Sequence, residues 1–145
     1  MFSRILIPTD GSWLSSLAVE KGLEFARDAN ASVTIITVTE PFHIITAEPE
    51  QIRGTRDDYE KYARMEAAKS LTNAELKAKQ LGVLHQSVQV ESDEPFQAII
   101  DAAEQNNCDL IMMASHGRRG IGALLLGSVT LKVLTHSKIP VLVYR

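Results

Sequence analysis

Residues 110–130, LIMMASHGRRGIGALLLGSVT, pass from five consecutive apolar residues into a segment holding four glycines and two arginines, and end on Gly127-Ser128-Val129-Thr130. The run Leu110–Ala114 does not alternate with polar residues, the pattern of a strand covered on both faces. The hydroxyl residue after the last glycine predicts a helix start, with Ser128 as N-cap and Val129, Val133 and Leu134 facing inward. A strand that leaves through so much bare backbone has two readings. One is a flexible turn. The other is an anion site, because glycines let the backbone come close while the unpaired N–H groups and dipole of a helix N-terminus favour phosphate.

The same alternation recurs along the chain. Ile5-Leu6-Ile7, Val33 to Val38, Val88-Gln89-Val90 and Val141-Leu142-Val143 read as four further strands. Between them, Leu14, Leu17, Ala18, Gly22, Phe25 and Ala26 keep helical spacing up to a turn at Asp28 to Asn30. Tyr59, Tyr62, Ala63, Met65, Leu71, Ala74, Ala78 and Leu81 predict a long second helix closed by Gly82. Glu94-Pro95 opens a third, with Phe96, Ile99, Ile100 and Ala103 as its buried stripe. Phe42 to Gly54 reads as a long connection, a lid or simple slack, and Trp13, Met112 and Met113 read as core. Strand–helix alternation with right-handed crossovers predicts an α/β fold: a doubly wound parallel sheet whose binding crevice lies at the carboxyl ends of the strands.

At 145 residues and 16.0 kDa the chain is sized for one domain, expected to span residues 1–145. A net charge of −3 spread over both signs disfavours nucleic acid and anionic membrane as main partners. No apolar stretch approaches the roughly 20 residues that cross a bilayer. The single cysteine, Cys108, cannot form an internal disulfide, and no leader pattern precedes the first strand, so the cytoplasm is the expected location. His43, His85, His116 and His136 lack metal-ligand spacing, and His136 is expected at a helix end.

Three stretches follow predicted strands at the carboxyl side: Pro8-Thr9-Asp10-Gly11-Ser12, Val38-Thr39-Glu40-Pro41 and the opening glycine segment. Asp10 is the most informative, because a carboxylate there accepts ribose hydroxyls; the competing reading is an Asx-turn or helix cap. Ser12 reads as the N-cap of the first helix. The glycine segment is not a P-loop, having no Gly-Lys-Ser/Thr, and Leu125 replaces the third glycine of a dinucleotide fingerprint.

These residues resemble the universal stress protein family across the whole chain, through ILIPTDGS, VTE, DLIMMASHGRRG and GSVTLKVLTHSKIPVLVYR. The ATP-binding branch carries Gly-x-x-Gly, nine residues, then Gly-Ser/Thr. Here Ala114-Ser115-His116-Gly117, nine residues and Gly127-Ser128 keep the spacing, with alanine at the first glycine. The resemblance implies a single-domain, Rossmann-like sheet of the adenine nucleotide alpha hydrolase type, strand order 3-2-1-4-5. It further implies ATP held by Pro8, Thr9 and Asp10 on the nucleoside side, the backbone of Val38 at the adenine edge, and Met113, Ala114, His116, Gly117 and Arg118 along the end of the Leu110–Ala114 strand and the loop after it. Gly127, Ser128, Val129 and Thr130 would face the phosphates, with Mg²⁺ or Mn²⁺ bridging them. At Ala114 a methyl is tolerated if φ is negative and costs about 1 kcal/mol or more if it is positive.

Arg118 and Arg119 read either as neutralising the γ-phosphate or as solvated loop residues. No residue is placed so as to demand a general base, although Glu40 and His116 lie near the crevice. The expected function is an ATP-binding stress-response regulator, at most a slow ATPase and not an ordinary enzyme. The alternative is a dimeric interaction protein of the same family that holds no nucleotide. A homodimer is expected through the last strand, an apolar edge that tends to associate.

Overall fold

Among the described residues nine elements alternate: β1 (Arg4–Pro8), α1 (Trp13–Ala29), β2 (Ser32–Thr39), α2 (Pro49–Leu81), β3 (His85–Glu91), α3 (Pro95–Gln105), β4 (Leu110–Ala114), α4 (Ser128–His136) and β5 (Val141–Tyr144). This computed structural model describes residues 1–42, 49–117 and 126–145, with the backbone alone for 49–53. The strands form one parallel sheet in the order β3-β2-β1-β4-β5. The expected doubly wound architecture and strand order are thus observed.

β1 lies in the middle, and its Ile5, Leu6 and Ile7 have no exposed surface. Because successive side chains of a strand point to opposite faces, they feed two cores. Ile5 and Ile7 join Val33, Ile35, Leu110 and Met112 beneath α1 and α2. Leu6 joins Ile36, Ile111 and Met113 on the face that carries α3 and α4. Burial of each such side chain stabilises the fold by about 1.5–3 kcal/mol. The close seat of α1 needs Gly22, where a Cβ would come within 2.6 Å of Ile7 Cδ1 and 3.3 Å of Met112 Sδ.

Several local signals act as read. Asn30 (φ 54°) and Gly82 (φ 68°) end α1 and α2 in the left-handed conformation, and Pro95 opens α3. His136 closes α4, its Nδ1 2.9 Å from Lys132 O. Four expectations need correction. Trp13 is not core: it opens α1 at the surface, 78% exposed. Leu134 is likewise 39% exposed, and Thr130 takes a buried place beside Val133 in α4. α2 starts at Pro49, so residues 49–54 are helical and not connection, while 43–48 lie outside the described residues. Tyr62 and Met65 keep helical spacing but are exposed, because, among the described side chains, α2 reaches the core only from Ala67 onward, through Leu71, Ala74 and Ala78.

The entry of β1 is clamped to β4 by Asp109. Ser3 N–H donates to both carboxylate oxygens (3.1 and 2.9 Å), Arg4 N–H to Oδ1 (3.0 Å) and the Ser3 hydroxyl to Oδ2 (2.9 Å). Burial pushes this carboxyl up, but those hydrogen bonds outweigh it and hold its pKa below the ordinary value. The depressed pKa gives a stabilisation that is complete above the unfolded value, near 3.9, and lost as pH falls through the folded one. Asp109→Ala is therefore expected to lower the unfolding free energy by about 2 kcal/mol at neutral pH. Urea melts at several pH values check this: the deficit should shrink at the acid end, and a deficit independent of pH would contradict the clamp.

Candidate functional site

The site originates in one missing hydrogen. Thr9 N–H donates to Ile36 O (2.8 Å) and Ser32 N–H to Ser3 O (3.0 Å), so odd-numbered residues of β1 face β2 and even-numbered ones face β4. Pro8 falls on the β4 side, where it has no N–H to give. Accordingly the β1–β2 register continues to Pro8↔Ile36, whereas β1–β4 stops at Leu6↔Ile111. The helices after β1 and β4 lie on opposite faces of the sheet. The two chains therefore part at a topological switch point, the usual position of a ligand crevice in this architecture.

On the β1 side, Gly11 (φ 78°) turns the chain into α1. Asp10 Oδ1 accepts from Ser12 N–H (2.9 Å) and from the Ser15 hydroxyl (2.8 Å), and Ser12 caps the helix by accepting from Ser15 N–H (3.3 Å). Thr9, 6% exposed, joins the network through its hydroxyl to Ser15 and to Gly11 N–H. The Asx-turn reading of Asp10 thus holds for one oxygen. The other is aimed across the crevice: a Cβ at Gly117 would overlap Asp10 Oδ2. Glycine at 117 is required by this approach of the two loops.

On the β4 side, Ser115 is buried; its N–H donates to Tyr144 O (2.8 Å) and its carbonyl accepts from Gly127 N–H (2.7 Å). The Thr130 hydroxyl donates to Ala114 O (2.9 Å), so its proton ties α4 to the strand end. A Cβ at Gly127 would lie 3.3 Å from Ser115 O and 3.4 Å from His116 Cα. Gly127, with φ −70° and ψ 162°, is itself the N-cap, which corrects the assignment to Ser128: Ser128 is the first helical residue. The first intrahelical bond is Leu131 N–H to Gly127 O (3.0 Å), leaving the N–H groups of Ser128, Val129 and Thr130 without helical acceptors.

Ala114 lies within β4 and outside the left-handed region, so its methyl brings no backbone strain. Met113 packs its side chain into the α3–α4 core and offers the crevice only backbone. Val38 follows Ile36 on the β1-facing side of β2, beyond the end of that ladder, so its N–H and C=O look into the gap. Glu40 O accepts from Tyr59 OH (3.2 Å), and Phe42 packs on the Tyr59 ring at 5.3 Å. Arg118 and Arg119 lie outside the described residues. Sequence reasoning missed Ser15 and Ser115. Ser15, three residues after a capping serine and on the buried side of α1, carried a readable signal; Ser115 acts through its backbone and carried none.

The family model described as the universal stress protein family matches residues 1–145. The chain belongs to the universal stress protein family. It is 30% identical over 152 residues to universal stress protein YxiE of Bacillus subtilis, covering 100% of both chains. The solved structure of an initially hypothetical protein of Methanocaldococcus jannaschii superposes with a TM-score of 0.81 at 27% identity, covering 99% of this chain and 95% of that one. A universal stress protein solved in complex with cAMP superposes with a TM-score of 0.72 at 25% identity, covering 99% and 97%.

Replacing Pro8 with valine restores an N–H facing β4 without adding charge. In Pro8→Val the β1–β4 ladder is expected to lengthen by one bond, giving a residue-8 amide protected from hydrogen exchange. An amide at position 8 that exchanges like an open loop would show that proline is not what ends the ladder.

Proposed function

We propose that this universal stress protein holds ATP at the carboxyl ends of β1, β2 and β4 and acts through nucleotide occupancy, with little or slow hydrolysis. The observation that carries this reading is the convergence, at the gap opened by Pro8, of Asp10, Gly117 and the N-terminus of α4. Asp10 sits where a carboxylate would accept ribose hydroxyls. Val38 would pair its free backbone groups with the adenine edge. The N–H groups of Ser128, Val129 and Thr130, with the α4 dipole, would receive phosphate.

Among the described residues, no three His, Cys, Asp or Glu groups cluster to hold a metal. Mg²⁺ or Mn²⁺ would therefore arrive on the phosphates. Backbone donors bind charge without activating water, which supports retention over turnover. The cAMP complex of a relative supports the adenine-nucleotide class. A second copy would pair along β5, the sheet edge of partly buried Val141–Tyr144. Leu142→Pro should then sediment as monomer or aggregate, and an unchanged dimer would remove that edge from the interface.

Two substitutions separate the ends of the crevice. Gly127→Val should lose ATP and ADP far more than adenosine, because it crowds Ser115 O and His116 at the phosphate end. Asp10→Ala should weaken all three ligands, which share the ribose, and should cost about 1–2 kcal/mol of stability through its lost bonds to Ser12 and Ser15. Calorimetry on folded variants checks both. ATP affinity retained in Gly127→Val would reduce the glycine segment to a turn; a wild type that binds no nucleotide would favour the interaction-protein reading.

A further inference from the structure

β3 is an edge of the sheet, hydrogen-bonded to β2 alone among the described strands. Val33 N–H donates to Leu84 O (2.9 Å) and Ser92 N–H to Thr39 O (2.9 Å), so the even-numbered residues of β3 turn their backbone groups to β2. The N–H and C=O of Ser87, Gln89 and Glu91 therefore point away from the sheet, and among the described residues they meet no partner. Such a row is a template for one more strand, which edges ordinarily refuse with proline, lysine or a bulge. β3, HQSVQVE, contains neither residue, and its register with β2 runs unbroken from His85 to Glu91. The edge is also rigid. The Gln86 amide donates to Thr34 Oγ1 (3.0 Å) and Asn106 Oδ1 (2.7 Å) on the α3 face, and the Ser87 hydroxyl to the Glu75 carboxylate of α2 on the other.

α3 lies over β1 and β2, which leaves the α3 face of β3 incompletely covered, with Val88 and Val90 half-buried. A groove of about 490 Å³ runs between them and α3. Its apolar lining is Val88, Val90, Ala98 and Ala102; its carboxylates include Glu91, Glu94 and Asp101, and among the described residues no Lys or Arg lines it. Arg56 of α2, which feels the charge of Glu91, is itself paired with Glu60 at 2.9 Å.

We propose that the β3 edge takes up an extended, lysine- or arginine-bearing segment of a partner protein as a sixth strand, antiparallel to β3 and away from the nucleotide crevice. The outward backbone groups at 87, 89 and 91 would bind any extended chain, and the groove would read its alternate side chains, apolar against Val88 and Val90 and cationic against the carboxylates. Because the edge is fixed beforehand, little order is lost on its side when the strand adds. A second copy of β3 does not supply this chemistry, since HQSVQVE has no Lys or Arg and brings a further carboxylate.

The probe is the peptide acetyl-Lys-Thr-Val-Thr-Val-Thr-Lys-amide, whose Lys and Val side chains share one face of a strand. At saturation it should slow hydrogen exchange about tenfold at the Ser87, Gln89 and Glu91 amides and leave those of Val88 and Val90, already bonded to β2, unchanged. The same peptide with Glu for both Lys should bind about tenfold more weakly at low ionic strength. Gln89→Pro removes an outward N–H and spares the β2 ladder; it should lower affinity about tenfold while the β2 amides keep their protection. Asp101→Asn, which leaves the backbone alone, should weaken binding about two- to threefold and reduce its salt dependence. Peptide bound without protection of the three amides, equal affinity for the Glu peptide, wild-type affinity in Gln89→Pro, or no binding at millimolar peptide would overturn the inference. So would free protein in which those amides are already protected in a dimer.

Discussion

The absence of an N–H on Pro8, at the end of the central strand, is the constraint on which the site depends. A parallel sheet closes its ladders until something stops them, and here the stop acts on one side only. β1 stays paired with β2 as far as Pro8 and parts from β4 after Leu6. The gap therefore opens at the switch point, between strands whose following helices cover opposite faces. Proline in a central strand ordinarily costs a bond. At this position the lost bond separates the loops that follow β1 and β4 and gives each room to present polar groups.

What fills the gap is ordered by close approach. Gly117 meets the Asp10 carboxylate, and Gly127 meets the Ser115 carbonyl. Neither glycine has a left-handed backbone; at 117 a Cβ would overlap the Asp10 carboxylate of the opposite loop, and at 127 it would press at 3.3 Å on the Ser115 carbonyl at the other end of its own connection. The same reasoning disposes of Ala114, whose side chain is buried in β4 and stands at neither meeting point. Asp10 serves two ends at once, since one oxygen builds the turn into α1 while the other faces Gly117. Binding and local stability are therefore coupled at this residue.

Most of the architecture was legible because both-faced strands and one-faced helices have different periods. Short runs rich in Val, Ile and Leu, most of them continuous and Val88-Gln89-Val90 alternating, located the five strands, and Asn30, Gly82 and Pro95 marked helix ends through their own backbone preferences. Position within an element was harder to read. Trp13 and Leu134 are apolar but lie on turns of α1 and α4 that face outward, and hydrophobicity alone does not say which turn meets the sheet. The start of α2 was hidden because residues 54–66 bury little, so no apolar stripe announced a helix there. At the site, Asp10 and Gly127 were visible from type and spacing. Ser115 and the role of Pro8 were not, because both act through backbone hydrogen bonds that exist only once three strands are side by side.

A nucleotide site and a mere glycine-rich turn differ in what the purified protein carries. The most direct measurement is mass spectrometry of whatever small molecule is released when the purified, washed protein is denatured, quantified against protein. An adenine nucleotide, ATP above all, is expected at a substantial fraction of one per chain, and should disappear from the Gly127→Val protein. Wild-type protein that releases no nucleotide and takes up none when millimolar ATP is added would contradict a nucleotide site.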